Sequence, residues 1–321
     1  MKGVCRIFFI VILTLNMVWL FSCSKTPNQP AAINGFSGMA NIDSTRFLAV
    51  HDEKNYQNGP RVSVIITKKD SNITVLPVEI KDWRHAEGRS SDLEAVCSIP
   101  GRTGEFLLVE SGHWDGKFGR MFHIKLNLSK QPYQATVLGV FELPEFDAKG
   151  PGDVEGDEIE GAECVALNGD SVLVLLGERG GSSVYPTGLL RWVVADLGSD
   201  SLLWTEAGKK GKTVEAPGVW QNPSKNRDIA ALHLDTNNIL WASATEDPGD
   251  SGPFNTVLYR IGTVTADITN PIQLDSQFTV ARSISGFKTE ALAGPTTKVK
   301  GSTFSIGTED EIYGGVWRPI Q

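Results

Sequence analysis

The chain has 321 residues, a formal net charge of −8, five histidines and four cysteines. Carboxylates outnumber basic groups, which excludes a nucleic-acid partner, because phosphate-backbone binding rests on clustered Lys and Arg. So few cysteines exclude a disulfide framework.

At the amino end, Lys2 and Arg6 precede an apolar run from Ile7 to Phe21, broken only by Thr14 and Asn16, and then Ser22 and Cys23. That order is the layout of an export signal, and the run falls short of the roughly 20 apolar residues that span a bilayer. With Leu20 at minus three and Ser22 at minus one, it resembles a lipoprotein signal. The resemblance implies cleavage after residue 22 and lipidation of Cys23 with diacylglyceryl and palmitate-type acyl chains. The mature chain is then expected to be anchored to the extracytoplasmic face of the cell envelope. In a Gram-negative host, Ser24 after the cysteine implies the outer membrane. Residues 23–32, with Pro27 and Pro30, read as a tether. Loss of Lys2 and Arg6 takes the formal charge of the remainder to −10.

Residues 33–321 read as one domain built on a repeat, the first thing to seek in a chain of this length. Five times, an apolar strand, a turn and a second apolar strand end on a carboxylate: Glu53, Glu110, Glu178, Glu246 and Glu309, spaced by 57, 68, 68 and 63 residues. Two further β-rich runs follow in the first four units. They are Arg61 to Thr67 and Val75 to Ile80; Arg120 to Leu126 and Ala135 to Leu143; Leu189 to Leu197 and Leu202 to Thr205; and Thr256 to Thr263 and Ile272 to Val280. The second strands are almost continuously apolar, as strands covered on both faces are. Four antiparallel strands per unit around an axis predict an all-β chain, a β-propeller of five blades. A sixth hidden in Lys209 to Asn226 and a β-sandwich are the alternatives. The fifth unit has a third strand near Ile312 to Ile320 and lacks a fourth, so Ala31 to Phe36 is expected to supply it, pairing the two ends of the chain and removing exposed sheet edges.

Written out this way, the repeat resembles a known family. Ser37-Gly38-Met39-Ala40 with His51-Asp52-Glu53, Asp92-Leu93-Glu94-Ala95-Val96 with Val109-Glu110-Ser111-Gly112, and Glu160-Gly161-Ala162-Glu163 with Gly177-Glu178-Arg179-Gly180 are similar to segments of phytase-like and esterase-like propellers. Extracytoplasmic propellers of the SdiA-regulated type are similar in outline. The resemblance implies the fold and, less directly, metal-dependent phosphoester hydrolysis.

First strands line the channel of a propeller, which would bring Glu94, Glu163 and Glu290 together in equivalent slots with Gly38 and Ala230. Carboxylates so gathered repel unless something positive joins them. Either a divalent cation, calcium before magnesium or manganese, or neighbouring Lys and Arg would serve. A second set is expected at one mouth: Asp52, Glu53, Glu110, Glu178, Arg179, Glu246 and Glu309, near His51, Lys54 and His113, with Arg179 suited to a bidentate anion contact. The acid-rich stretches 145–163 and 246–252 read as solvated loops. Cys97 and Cys164 lie in apolar runs, where a cysteine is a small buried hydrophobe. Serine-hydrolase elbows, zinc-protease helices and Walker loops are absent from the sequence.

The expected function is an envelope-anchored, monomeric propeller that binds a small anionic ligand of phosphoester type with a divalent cation and no organic cofactor. If it is an enzyme, metal-assisted hydrolysis is the chemistry these residues allow. A non-enzymatic scaffold lipoprotein and a lactonase-like sugar hydrolase are the alternatives.

Overall fold

Short runs of β-branched and large apolar residues, punctuated by Gly, Asp and Asn at turns, make strands nearly everywhere in this chain. The computed structural model describes residues 34–53, 59–112, 119–144, 156–249, 252–309 and 314–321. The signal 1–22, Cys23 and the tether lie outside the described residues, as do Lys54, His113 and residues 145–155 of the acidic stretch. Among the described residues no helix is long and apolar enough to cross a membrane.

The first unit supplies β1 (Gly38–Asn41), β2 (Arg46–Val50), β3 (Val62–Thr67) and β4 (Ile73–Glu79). The second supplies β5 (Leu93–Ser98), β6 (Glu105–Glu110), β7 (Arg120–Asn127) and β8 (Tyr133–Glu142). The third has β9 (Ile159–Ala166), β10 (Ser171–Glu178), β11 (Gly188–Asp196) and a short β12 (Ser201–Leu203). A one-turn helix α1 (Glu206–Lys210), capped by Thr205, then leads to β13 (Lys212–Val214). The fourth unit holds β14 (Asn226–Leu234), β15 (Ile239–Glu246), β16 (Asn255–Val264) and β17 (Ile272–Ser285). The fifth holds β18 (Thr289–Ala293), β19 (Phe304–Thr308) and β20 (Trp317–Ile320).

Within each unit consecutive strands pair antiparallel. The first two units merge into one eight-stranded sheet, because β4 and β8 pair in parallel at Val78–Tyr133 and Glu79–Gln134. The remaining sheets have five, four and three strands. Residues 209–226 hide no further unit: β13 joins β11, extending the third sheet.

The first strands form a closed circuit of contacts: β1 with β5, β5 with β9, β9 with β14, β14 with β18, and β18 with β1. A separate apolar cluster fills each border between units. Leu108 and Phe106 of β6 pack toward the first unit with Leu48 and Val64, while Leu107 and Val109 pack toward the third with Val172 and Val174. Leu173 and Leu175 meet Leu240 and Tyr259 at the next border, and Leu258 meets Leu292 and Ile306 at the one after. Phe36, Trp317 and Ala291 meet Phe47 and Ile65 where the circuit closes. Alternate residues of one strand thus enter different clusters, which is why the second strands are apolar at every position. Such two-faced packing of radially arranged sheets is that of a propeller.

The expected fourth strand of the fifth unit is not made by the described part of Ala31 to Phe36. Phe36 N donates to Thr308 O at 2.9 Å and its ring fills the closing cluster, but the sheet ends at β20. Ala31 to Ile33 lie outside the described residues.

Candidate functional site

Three inner strands carry the same irregularity near their amino ends. The pairing of β5 with β6 passes from Leu93 to Ala95, that of β9 with β10 from Ile159 to Gly161, and that of β18 with β19 from Thr289 to Ala291. The skipped residues are Glu94, Glu160 and Glu290. A bulged residue leaves the period-two alternation and can be aimed independently of its neighbours. All three are buried. In the fourth unit the register skips from Arg227 to Ala231, and Arg227 stands at the same end.

Gly38 occupies the first-unit slot because nothing larger fits: a Cβ there would stand 2.9 Å from Glu94 O and 3.0 Å from Ala95 Cα.

Glu94, Glu160 and Arg227 line a cavity of about 140 Å³ together with Asp52, Asp92, Glu158, Glu309, Arg179 and Lys288. The bases gather on one side. Arg227 Nη1 lies 3.1 Å from Glu290 and 3.5 Å from Glu160, and its Nη2 lies 2.7 Å from Asp247. Lys288 Nζ is 3.1 Å from Glu290 and 3.4 Å from Glu309, while Arg179 Nη1 is 2.5 Å from Glu158. Desolvation would lower Arg227 and Lys288, but the surrounding carboxylates outweigh it and hold both firmly protonated.

Three further carboxylates stand together. One oxygen each of Asp52, Asp92 and Glu94 lies within 4.8 Å of the others. Asp92 is held at φ +57°, an uncommon conformation for Asp that functional sites favour, with Ser111 Oγ donating to its Oδ2 at 2.8 Å. Asp52 N donates to Ser37 Oγ at 2.8 Å, and Ser37 Oγ donates to Glu309 at 2.6 Å. Glu94 is 7% exposed, and its Oε2 is buried with no hydrogen-bond partner among the described residues. Burial, then Glu160, Glu309, Asp52 and Asp92, raise its pKa well above the carboxylate range.

Burial pushes Glu160 up to about 7 against the pull of Arg227 and Arg179. Burial and Glu309 raise Glu290. In Glu309 the burial effect is outweighed by hydrogen bonding to Glu290, so its pKa falls. Chemically, the cavity offers hard oxygen donors together with fixed positive charge.

Several expected positions move. Glu163 does not join Glu94 and Glu290: Glu160 takes the slot. Glu163 lies at the other end of its strand, where it accepts from Leu234 N at 2.9 Å and lies 3.4 Å from His233 Nδ1. It lines a separate cavity of about 810 Å³ with Asp235, Trp241 and Phe304. Of the expected mouth residues, Asp52, Arg179 and Glu309 line the charged cavity. Glu110, Glu178 and Glu246 do not; each braces its own unit. Glu110 receives Arg120 Nε at 2.9 Å and Nη2 at 2.7 Å, Glu178 receives Arg191 Nε, and Glu246 receives Asn222 N and Asn255 Nδ2. Glu53 accepts from Asn34 at 3.1 Å. His51 is buried, its Nδ1 donating to Gly35 O at 2.6 Å. Asp92, Glu158, Glu160, Arg227 and Lys288 are additions that residue spacing alone did not single out.

No protein-family model matches the sequence, and no curated protein is detectably similar to it. Among solved structures, a Cellvibrio cellulosa α-L-arabinanase complexed with arabinohexaose matches at 12% identity and TM-score 0.47, over 90% of this chain and 91% of that one. An endo-1,4-β-xylanase from Bacteroides thetaiotaomicron matches at 8% identity and TM-score 0.38, over 90% and 95%. A putative 6-phosphogluconolactonase from Bacteroides uniformis matches at 9% and 0.37, over 87% and 68%. Likeness at this level identifies no family for the chain, the phytase-like one included.

Proposed function

We propose that the chain is a five-bladed propeller whose charged cavity binds a divalent cation on Asp52, Asp92 and Glu94. A small anionic ligand of phosphoester type would bridge that cation to Arg179, Arg227 and Lys288. The observation that carries this reading is the grouping of one oxygen each from Asp52, Asp92 and Glu94 within 4.8 Å, where Glu94 keeps a buried oxygen without a hydrogen bond. Gathering buried carboxylates is costly, and a hard cation offsets that cost. Calcium takes about six to eight oxygen ligands, so three carboxylates would hold it without filling its shell. A cation held there would supply the Lewis acidity of metal-assisted hydrolysis, and Glu160, whose pKa is pushed up to about 7, would be the residue to exchange a proton.

The test is a thermal shift with calcium, magnesium, manganese or a chelator, followed by a phosphoester substrate screen with a lactone arm. Calcium at about a hundred times its Kd should stabilise the fold by about 2.7 kcal/mol. Equal melting in all four conditions would remove the cation and favour the scaffold reading. We place the site outside the cytoplasm on the strength of Cys23: Cys23→Ala should abolish partition into detergent, and unchanged partition would refute the lipid anchor.

A further inference from the structure

Cys97 and Cys164 are 67 residues apart in sequence and belong to successive units, yet their Sγ atoms stand 2.8 Å apart. Two sulfurs in ordinary contact stay well beyond that separation, and only a covalent bond, near 2.0 Å, brings them closer. Cys97 lies on β5 and Cys164 on β9, two inner strands in contact with each other, and both side chains are buried in the cluster between the second and third units. Cys97 stands three residues beyond Glu94 on β5, and Cys164 four beyond Glu160 on β9, so each sulfur shares its strand with a cavity carboxylate.

We propose that Cys97 and Cys164 form a disulfide that clasps β5 to β9 and fixes the spacing of the strands carrying Glu94 and Glu160. The oxidant is a disulfide, either a low-molecular-weight one or that of a thiol–disulfide exchange protein. One cysteine thiolate attacks it, forming a mixed disulfide and expelling a thiolate. The second cysteine thiolate then attacks the mixed disulfide, closing Sγ–Sγ and releasing the oxidant's other sulfur as a thiol. Two electrons and two protons leave the protein, and the oxidant is reduced to two thiols. Both groups are shielded once the ring closes, so the exchange belongs to folding, before β5 and β9 pack. The same burial raises the Cys97 thiol and makes thiolate formation costly in the folded protein, so the finished bond resists exchange. The proposal stands on the sulfur geometry and does not depend on the cation.

The experiment uses the full chain, denatured and refolded in a mixture of oxidised and reduced glutathione. Free thiols are then blocked with iodoacetamide under denaturing conditions, and the protein is digested with trypsin without reductant. Mass spectrometry should find peptide 90–102 joined to peptide 150–179, with the pair separating on reduction. Refolding the same chain in dithiothreitol should give separate alkylated peptides and a melting temperature lower by about 5–10 °C, from the freed loop. Recovery of both peptides as carbamidomethylated monomers from the glutathione-refolded protein would overturn the proposal. So would the joined peptide with equal melting temperatures in the two preparations, because the bond would then clasp nothing.

Discussion

Replacing Glu94 by Gln keeps the side chain's shape and removes its charge, and the structure assigns opposite signs to the result with and without cation. An oxygen of Glu94 lies within 4.8 Å of one from Asp52 and one from Asp92. Two unit charges at that separation repel by about 3.5 kcal/mol at an effective dielectric near 20. Burial and the surrounding carboxylates raise the pKa of Glu94, which relieves part of this Coulomb figure and leaves about 1–3 kcal/mol. A Gln amide can also donate to Asp92 or Asp52. In chelator, E94Q should therefore melt about 2–6 °C above the wild type, at roughly 2 °C per kcal/mol for a chain of this size. In saturating calcium the order should reverse, because the wild type gains about 2.7 kcal/mol and the variant little of it. Scanning calorimetry of both proteins in the two buffers is sufficient. If E94Q melts below the wild type in chelator, the carboxylate is a structural hydrogen-bonding group, and the reasoning from repulsion is wrong.

Glu110→Ala leaves the buried Arg120 guanidinium without its carboxylate and should cost about 3–5 kcal/mol in denaturant titration, while the calcium-induced shift survives. Loss of the shift with little loss of stability would return Glu110 to the mouth. Glu163→Gln, at the far end of β9, should leave the calcium response unchanged to within a degree; a halved response would contradict its placement. His51 is buried neutral, with its pKa lowered from 6.5 to about 4 by burial. The unfolded chain takes up that proton first as pH falls, so the contribution is whole above pH 6.5 and is lost between pH 6.5 and 4, by ~3 kcal/mol at most. Urea unfolding of His51→Gln across that window should be less steep in pH than that of the wild type; parallel curves would remove His51 as the cause.

The second strands were legible because a strand such as Phe106–Val109, apolar at every position, has few places to go except between two packed sheets, and each of its faces enters a different cluster. The channel carboxylates were legible in kind but not in register. The bulge at Glu160 is a single-residue departure from the ladder that leaves no mark on hydrophobic periodicity, so Glu163 read as the equivalent of Glu94. The acids closing the second strands read as loop residues because their partners arrive on the next strand: Arg120, Arg191 and Asn255 follow Glu110, Glu178 and Glu246 by 10, 13 and 9 residues. The meeting of Cys97 and Cys164 was hidden for a related reason. Each sits in an apolar run, where composition describes a small hydrophobe, and only the alignment of neighbouring inner strands brings the two together.

The parallel pairing of β4 with β8 makes one border unlike the rest. Between the first two units two strands join in one sheet across the boundary, whereas at other borders the backbone crosses only in isolated hydrogen bonds, such as Ile159 N to Ser111 O and Asp228 N to Arg179 O. Asp52 belongs to the first unit, and Asp92 and Glu94 to the second, so the carboxylate trio straddles the welded joint. Arg227 and Lys288 flank a border without such a weld. Slow widening of the ring would therefore fall on the basic side of the mouth while the three acids keep their separations. If the cavity takes the ligand proposed above, that ligand would enter and leave by displacing the arginine and lysine arc while the three acids stay in place.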